Sequence, residues 1–198
     1  MNTARQLHHL NAADHQSACG SSLVTTSGCQ ELDDMLPGGG WPKGGVVELI
    51  VPDDHAEAID LVMPVLRRLS LQGRWITLVT PPLPSRAAVF TDRDINASRV
   101  LQVNPHPGRS GLWTVESMLR SGDCAALLAW PGCDTELMDK RLQKAAEHGK
   151  SLCLLFRYAS LATHPSGVDV RLRVEVSEGG RAVYRVNGRG EALSGIAL

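Results

Sequence analysis

Four short apolar runs, residues 46–51, 75–79, 125–130 and 152–156, constrain this chain more than any other feature. Each is five or six residues long and rich in Val, Ile, Leu or Ala. None alternates with polar positions, so each reads as a strand buried on both faces. Between them lie segments with helical spacing. Over 56–71, Ile59, Val62, Met63, Leu66 and Leu69 recur on one side, and Pro64 predicts a kink or a late start. Over 111–121, Leu112, Val115 and Leu119 do the same, and 134–148 reads as a polar-faced helix with Asp134 at its N-cap. Ser27 and Gln30 have capping-box spacing, which predicts a short helix over 30–36 stopped by Pro37-Gly38-Gly39-Gly40. A further strand is expected at 100–103. Strand and helix in alternation predict an α/β fold with a mostly parallel sheet covered on both faces. The end of the chain differs. Residues 170–176 and 182–186 alternate across Glu178-Gly179-Gly180, the pattern of an antiparallel hairpin.

The 198 residues suit one domain over 25–198, preceded by a weakly patterned segment, 1–24, expected to be a mobile tail. A formal charge of −1 gives no global field for nucleic acid or an anionic membrane, so direct DNA binding is expected to be weak. The five cysteines form no CxxC pair, which favours reduced thiols. No apolar run is long enough to span a bilayer, and residues 1–20 show no apolar signal core. A cytoplasmic location is the expectation.

In a sheet of this class, ligands bind beyond the carboxyl ends of the strands. A phosphate loop is therefore expected after Val51, and it needs glycines, a Lys and a Ser or Thr. The chain instead reads Pro52-Asp53-Asp54-His55-Ala56-Glu57. Pro52 removes a backbone donor, and Asp53 and Asp54 would face an incoming anion. One such contact at about 4 Å costs about 4 kcal/mol at an effective dielectric near 20. A helix N-terminus returns at most about 2 kcal/mol. The acids suit a helix cap better than a phosphate. The strand at 75–79 ends in Thr80-Pro81-Pro82 and that at 125–130 in Trp130-Pro131, without the carboxylates that would activate water or hold a metal. The expectation is a protein that is not an enzyme, with no cofactor, no metal and no catalytic residue.

The order of motifs resembles RecA. Thr26-Ser27-Gly28 with Leu32-Asp33, Gly39 to Gly44 and Val46 to Leu49 resemble the approach to its phosphate loop. Ser121-Gly122 before Ala126 to Ala129 resembles the approach to its metal-binding strand, and Asp169 to Leu172 the strand after its DNA-binding loops. Within that superfamily the chain resembles the ImuA/SulA group of SOS-response proteins. The segments that carry this are Leu36 to Pro42, Gly73-Arg74-Trp75 with Leu78 to Pro81, Thr114 to Arg120, and Ala145-Ala146-Glu147 running to Phe156-Arg157. The resemblance implies a RecA-like three-layer sandwich with a degenerate ATP site and a C-terminal antiparallel hairpin. It implies a role by protein–protein binding in the DNA-damage response. The Pro-Gly-Gly-Gly-Trp-Pro approach and the hairpin favour an ImuA-type translesion-synthesis protein. Its partners would be an ImuB-like, polymerase-related protein, RecA or an error-prone DNA polymerase. The Thr-Val-Glu-Ser-Met stretch and the Arg-Trp strand entry favour the alternative, a SulA-type inhibitor that binds FtsZ and blocks its polymerisation.

Candidate partner-binding residues are Arg74 and Trp75 at a strand entry, Trp113 at a helix start, and Arg157 after an apolar run, where a solvated surface cation is expected. Trp41, between glycines and Pro42, is expected to pack a loop onto the core. Arg171, Arg173, Arg181, Arg185 and Arg189 against Glu175, Glu178 and Glu191 make a weakly basic hairpin face, expected to be solvated. Gln6, Leu7 and Leu10 resemble a sliding-clamp docking peptide. His8, His9, His15 and Cys19 lack zinc spacing.

Overall fold

A computed structural model describes residues 23–52, 58–82, 90, 94–105, 111–131, 139–160, 162, 165–168, 170–177 and 180–198. The apolar runs become β3 (Gly45–Val51), β4 (Trp75–Val79), β6 (Cys124–Ala129) and β7 (Leu152–Tyr158), with β5 at Val100–Val103. Every residue of β3 and β6 is buried, which is why these runs do not alternate. The hairpin is β8 (Val170–Ser177) and β9 (Gly180–Val186), and a further strand, β10 (Ala192–Ala197), follows it. All join one eight-stranded sheet in the order β10-β9-β8-β3-β7-β6-β4-β5. Pairing is parallel from β8 through β3, β7, β6 and β4 to β5. It is antiparallel from β8 to β9 and from β9 to β10. The fold is mixed α/β with a mostly parallel central sheet.

Helices cover both faces. On one lie α1 (Gln30–Met35) and α2 (Met63–Ser70), whose Leu32, Met35, Val65, Leu66 and Leu69 pack on Val47, Leu49, Ile76, Leu128, Leu154 and Leu172. On the other lie α3 (Gly111–Ser121) and α4 (Asp139–Gly149), whose Leu112, Val115, Leu119, Leu142 and Ala145 meet Val46, Val79, Leu127 and Cys153. Each fully buried Leu or Val contributes about 1.5–3 kcal/mol. Trp41 is fully buried, in the α1/α2 layer.

Of the two outcomes expected at Pro64, the late start is the one found: Pro64 sits in the first turn of α2, after a 3₁₀ turn at Ala58–Leu61. A first-turn proline loses no hydrogen bond, because that N–H has no intrahelical partner. The capping box at Ser27 does not form; Cys29 is the N-cap of α1 and makes no side-chain cap. Instead the buried Asp33 reaches back, accepting from Ser27 N at 2.7 Å and from Thr26 Oγ1. Burial pushes its carboxyl upward, but these hydrogen bonds and the nearby Arg68 outweigh it and hold it below its ordinary 3.8. Finally, Val24–Thr25 (β1) pairs with Trp41–Pro42 (β2) in a small two-stranded sheet, so order reaches into the segment expected to be tail. No helix among the described residues is long and apolar enough to cross a membrane.

Candidate functional site

At the carboxyl ends of the central strands, aromatic side chains lie where a ligand would sit in a nucleotide-binding sheet. Trp130, just past β6, stacks on Phe156 of β7 with centroids 4.8 Å apart and planes 14° from parallel. Both rings are core residues. Beside them, between Val79, Thr80, Gly111, Leu112, Val115, Ala129 and Pro131, the free space is about 10 Å³, room for no more than a water molecule. Pro52 is half-buried after β3; Asp53 and Asp54 lie outside the described residues.

Arg157 is not on the surface. It is 4% exposed, and its Nε lies 3.2 Å from Oε1 of Glu48 on the neighbouring β3. The other carboxylate oxygen of Glu48 lies 3.1 Å from the Nε of Arg171 on β8, and the Nη2 of Arg171 donates to Glu48 Oε1 at 3.5 Å. Arg171 also donates to the carbonyls of Gly188 at 2.9 Å and Ala162 at 3.4 Å. The solvated cation expected at 157 is therefore part of a buried Arg–Glu–Arg triad. The cause is strand pairing: β3 runs between β7 and β8, and its one acid falls beside both arginines.

Two of the hairpin arginines make partly exposed pairs. Arg173 pairs with Glu175 at 3.0 Å and stacks over Tyr184 at 5.2 Å, and Arg181 reaches Asp60 at 3.9 Å.

Arg74 and Trp75 meet at the opposite rim, where the parallel strands begin. The guanidinium of Arg74 faces inward over the turns that lead into β6 and β7. Its Nη1 donates to the carbonyl of Lys150 at 3.1 Å. Its Nη2 shares its hydrogens among the carbonyls of Gly149 (2.8 Å), Gly122 (3.0 Å) and Cys124. Gly149 must be glycine for these turns to converge, since a Cβ there would lie 1.9 Å from the carbonyl oxygen of Leu119.

Trp75, next in sequence, points out and is 36% exposed. The guanidinium of Arg99 lies over its ring at 5.4 Å, the geometry of a cation–π contact. Leu101 on β5 pairs with Thr77. It therefore shares the face of Trp75 by the two-residue period, and it is 40% exposed. Among the described residues β5 is the last strand in the order, so this apolar strip ends at the sheet edge. Trp113 is half-exposed in the first turn of α3, near Thr80 and the carboxyl ends.

Of the four sequence candidates, the structure thus brings together only Arg74 and Trp75. Arg99 and Leu101 were missed, because nothing local shows that Ile76 pairs with Val100. Gln6, Leu7 and Leu10, and with them His8, His9, His15 and Cys19, lie outside the described residues.

Comparison with known proteins gives the family. The model of the cell division inhibitor SulA matches residues 44–153. SulA of Serratia proteamaculans is 24% identical over 137 residues, covering 69% of this chain and 79% of the relative. SulA of Erwinia pyrifoliae is 29% identical over 127 residues, covering 62% and 74%. A crystal structure of SulA from Pseudomonas aeruginosa, 25% identical, covers 57% of this chain and 97% of that one with a TM-score of 0.49. The family model and the curated relatives overturn the ImuA-type translesion-synthesis expectation and, with it, the partners that expectation favoured. The Pro-Gly-Gly-Gly-Trp-Pro approach and the hairpin that favoured it fall outside the matched segment. Matched by one family model over more than half its length, the chain belongs to the SulA family of cell division inhibitors, which are not enzymes.

Proposed function

We propose that this protein is a SulA-type inhibitor of cell division in the DNA-damage response, acting in the cytoplasm by binding FtsZ and blocking its polymerisation without using a nucleotide. We also read the sheet as a RecA-type core, in which β3 is the strand that would precede the phosphate loop. The family match carries the functional reading, and two features support it. Pro52 supplies no amide to a phosphate, and the Trp130–Phe156 stack fills space at the carboxyl ends.

The family segment also narrows the docking surface. A function shared with the family resides in shared structure, so the surface belongs to residues 44–153. That segment holds β3, β4, β5, β6 and the start of β7, and of these β5 is at the sheet edge. β8 pairs with β3, and among the described residues no strand lies beyond β5, beside Trp75, Arg99 and Leu101. Trp and Arg together on a partly apolar strip have the composition of a binding hot spot.

The test is assembly of purified FtsZ with GTP, followed by light scattering, with the full chain added. Suppression of assembly at near-equimolar protein is expected. Trp75→Ala should weaken binding by about thirtyfold, the scale of a hot-spot residue. FtsZ that assembles normally with a tenfold excess of the wild-type chain overturns the reading.

A further inference from the structure

The position of Arg74 beside Trp75 suggests a direct partner contact, but both of its terminal nitrogens, Nη1 and Nη2, are already engaged. The carbonyls of Gly122, Cys124, Gly149 and Lys150 receive Nη1 and Nη2, and Ser151 Oγ lies 3.4 Å from Nη2. Those acceptors come from two turns, the one joining α3 to β6 and the one joining α4 to β7. Arg74 itself lies where the chain enters β4. One planar guanidinium therefore ties three chain crossings at one rim of the sheet.

The hydrogen bonds around it close the same knot. Trp75 N donates to the carbonyl of Asp123 at 3.0 Å, and Ser151 Oγ donates to the carbonyl of Cys124 at 2.7 Å. A lysine could not replace this fork, because its three hydrogens diverge from a single point and cannot serve acceptors laid out in a plane. Trp75 leaves this knot directly, and the guanidinium of Arg99 lies over its ring.

We propose that Arg74 is a positioning residue of the docking rim: it fixes the entry of β4 so that the Trp75 ring and Arg99 are held ready for the partner, and it does not touch the partner itself. This rests on the FtsZ reading for the partner's identity, but not for the geometry. Pre-ordering an anchor side chain lowers the entropy that binding must overcome, so its loss appears as weaker affinity without a lost contact.

Two measurements on the full-length chain test this separately. In protein labelled with fluorotryptophan, the four tryptophans give four fluorine resonances, and Trp75→Phe identifies that of residue 75. Arg74→Lys should shift or broaden the Trp75 resonance by more than its linewidth and leave those of Trp41, Trp113 and Trp130 in place. An unmoved Trp75 resonance overturns the proposal. So does collapse of all four, since Arg74 would then hold the whole fold rather than the rim.

The second measurement is a double-mutant cycle for FtsZ binding. Arg74→Lys should weaken binding about tenfold in the wild-type background and less than about twofold in Trp75→Ala, because its effect passes through Trp75. An equal loss in both backgrounds means direct contact and overturns the proposal. Failure of the unmodified chain to bind FtsZ removes the functional reading alone, and the fluorine spectra then decide the role of Arg74.

Discussion

Two arginine-built centres hold the sheet together, and they solve the burial of a cation in opposite ways. Midway along β3, Arg157 and Arg171 share one carboxylate, Glu48, and all three side chains are at most 4% exposed. At the amino rim, Arg74 spreads its charge over main-chain carbonyls. The first centre is built from charge and the second from geometry. The first depends on a side chain that mutation can remove. The second depends on the course of the backbone at two turns. The first also joins the family segment, through Glu48 and β3, to β8 outside it. The second lies wholly inside the family segment.

The charge-built centre should show the larger effect. Glu48→Gln keeps the shape but leaves two buried guanidiniums without a counter-charge. Breaking a buried ion pair in this way costs about 3–5 kcal/mol. Urea unfolding of the variant should show that loss as a lower midpoint at unchanged slope. Replacing Glu48, Arg157 and Arg171 together by apolar residues of similar volume should cost much less, because no charge is then stranded. A loss below about 1 kcal/mol in Glu48→Gln would mean that the guanidiniums find other acceptors, and the contrast between the two centres would disappear.

The two centres also mark where sequence reasoning succeeds and stops. The central strands were legible because a run buried on both faces carries its own signal, as in 46–51 and 125–130. The strand β10 was not. Its Ala192, Ser194, Gly195 and Ala197 have weak strand propensity, and Gly195 is accommodated because the Tyr184 ring lies over it, where a Cβ would come within 2.5 Å. Trp75 stands out in the sequence as a docking candidate, since a tryptophan beside an arginine at a strand entry is a local feature, and its docking role rests on the FtsZ reading. The work of Arg74 was not, because its acceptors lie 48 to 76 residues away in sequence. Arg157 read as a surface cation for the same reason. A signal was nevertheless available: Glu48 stands inside an otherwise apolar buried strand, and such an acid requires a cationic partner. Arg171, within the predicted strand at 170–176, was a candidate for that role.

The geometry-built centre is tested by moving backbone rather than charge. Gly149→Ala places a methyl 1.9 Å from the carbonyl oxygen of Leu119, so the end of α4 must move away from α3. Forced overpacking of this kind costs about 1–3 kcal/mol. The shift separates the carbonyls of Gly149 and Lys150 from those of Gly122 and Cys124, so stability and FtsZ affinity should fall together. A variant that loses stability but binds FtsZ as the wild type does would show that the rim need not be tied for docking.

The smallest effect should have the opposite sign. Lys150 follows α4 with φ of 50°, in the left-handed region, and its amide donates to the carbonyl of Glu147 at 3.2 Å. Glycine is the usual residue at this helix-ending position, because a Cβ there costs about 1–2 kcal/mol. Lys150→Gly relieves that cost and keeps the carbonyl that Arg74 uses. Against the gain stand the greater freedom of glycine in the unfolded chain and the loss of a cation near a helix C-terminus. The cation contributes only about 0.3 kcal/mol when exposed, as this lysine is. The balance favours the variant by about 0.5 kcal/mol, a rise of one or two degrees in Tm for a domain of this size, measurable by calorimetry. A fall in Tm would show that the Lys150 side chain stabilises the turn in a way that outweighs the strain. The rim would then rest on charge as well as geometry, and the distinction between the two arginine centres would narrow.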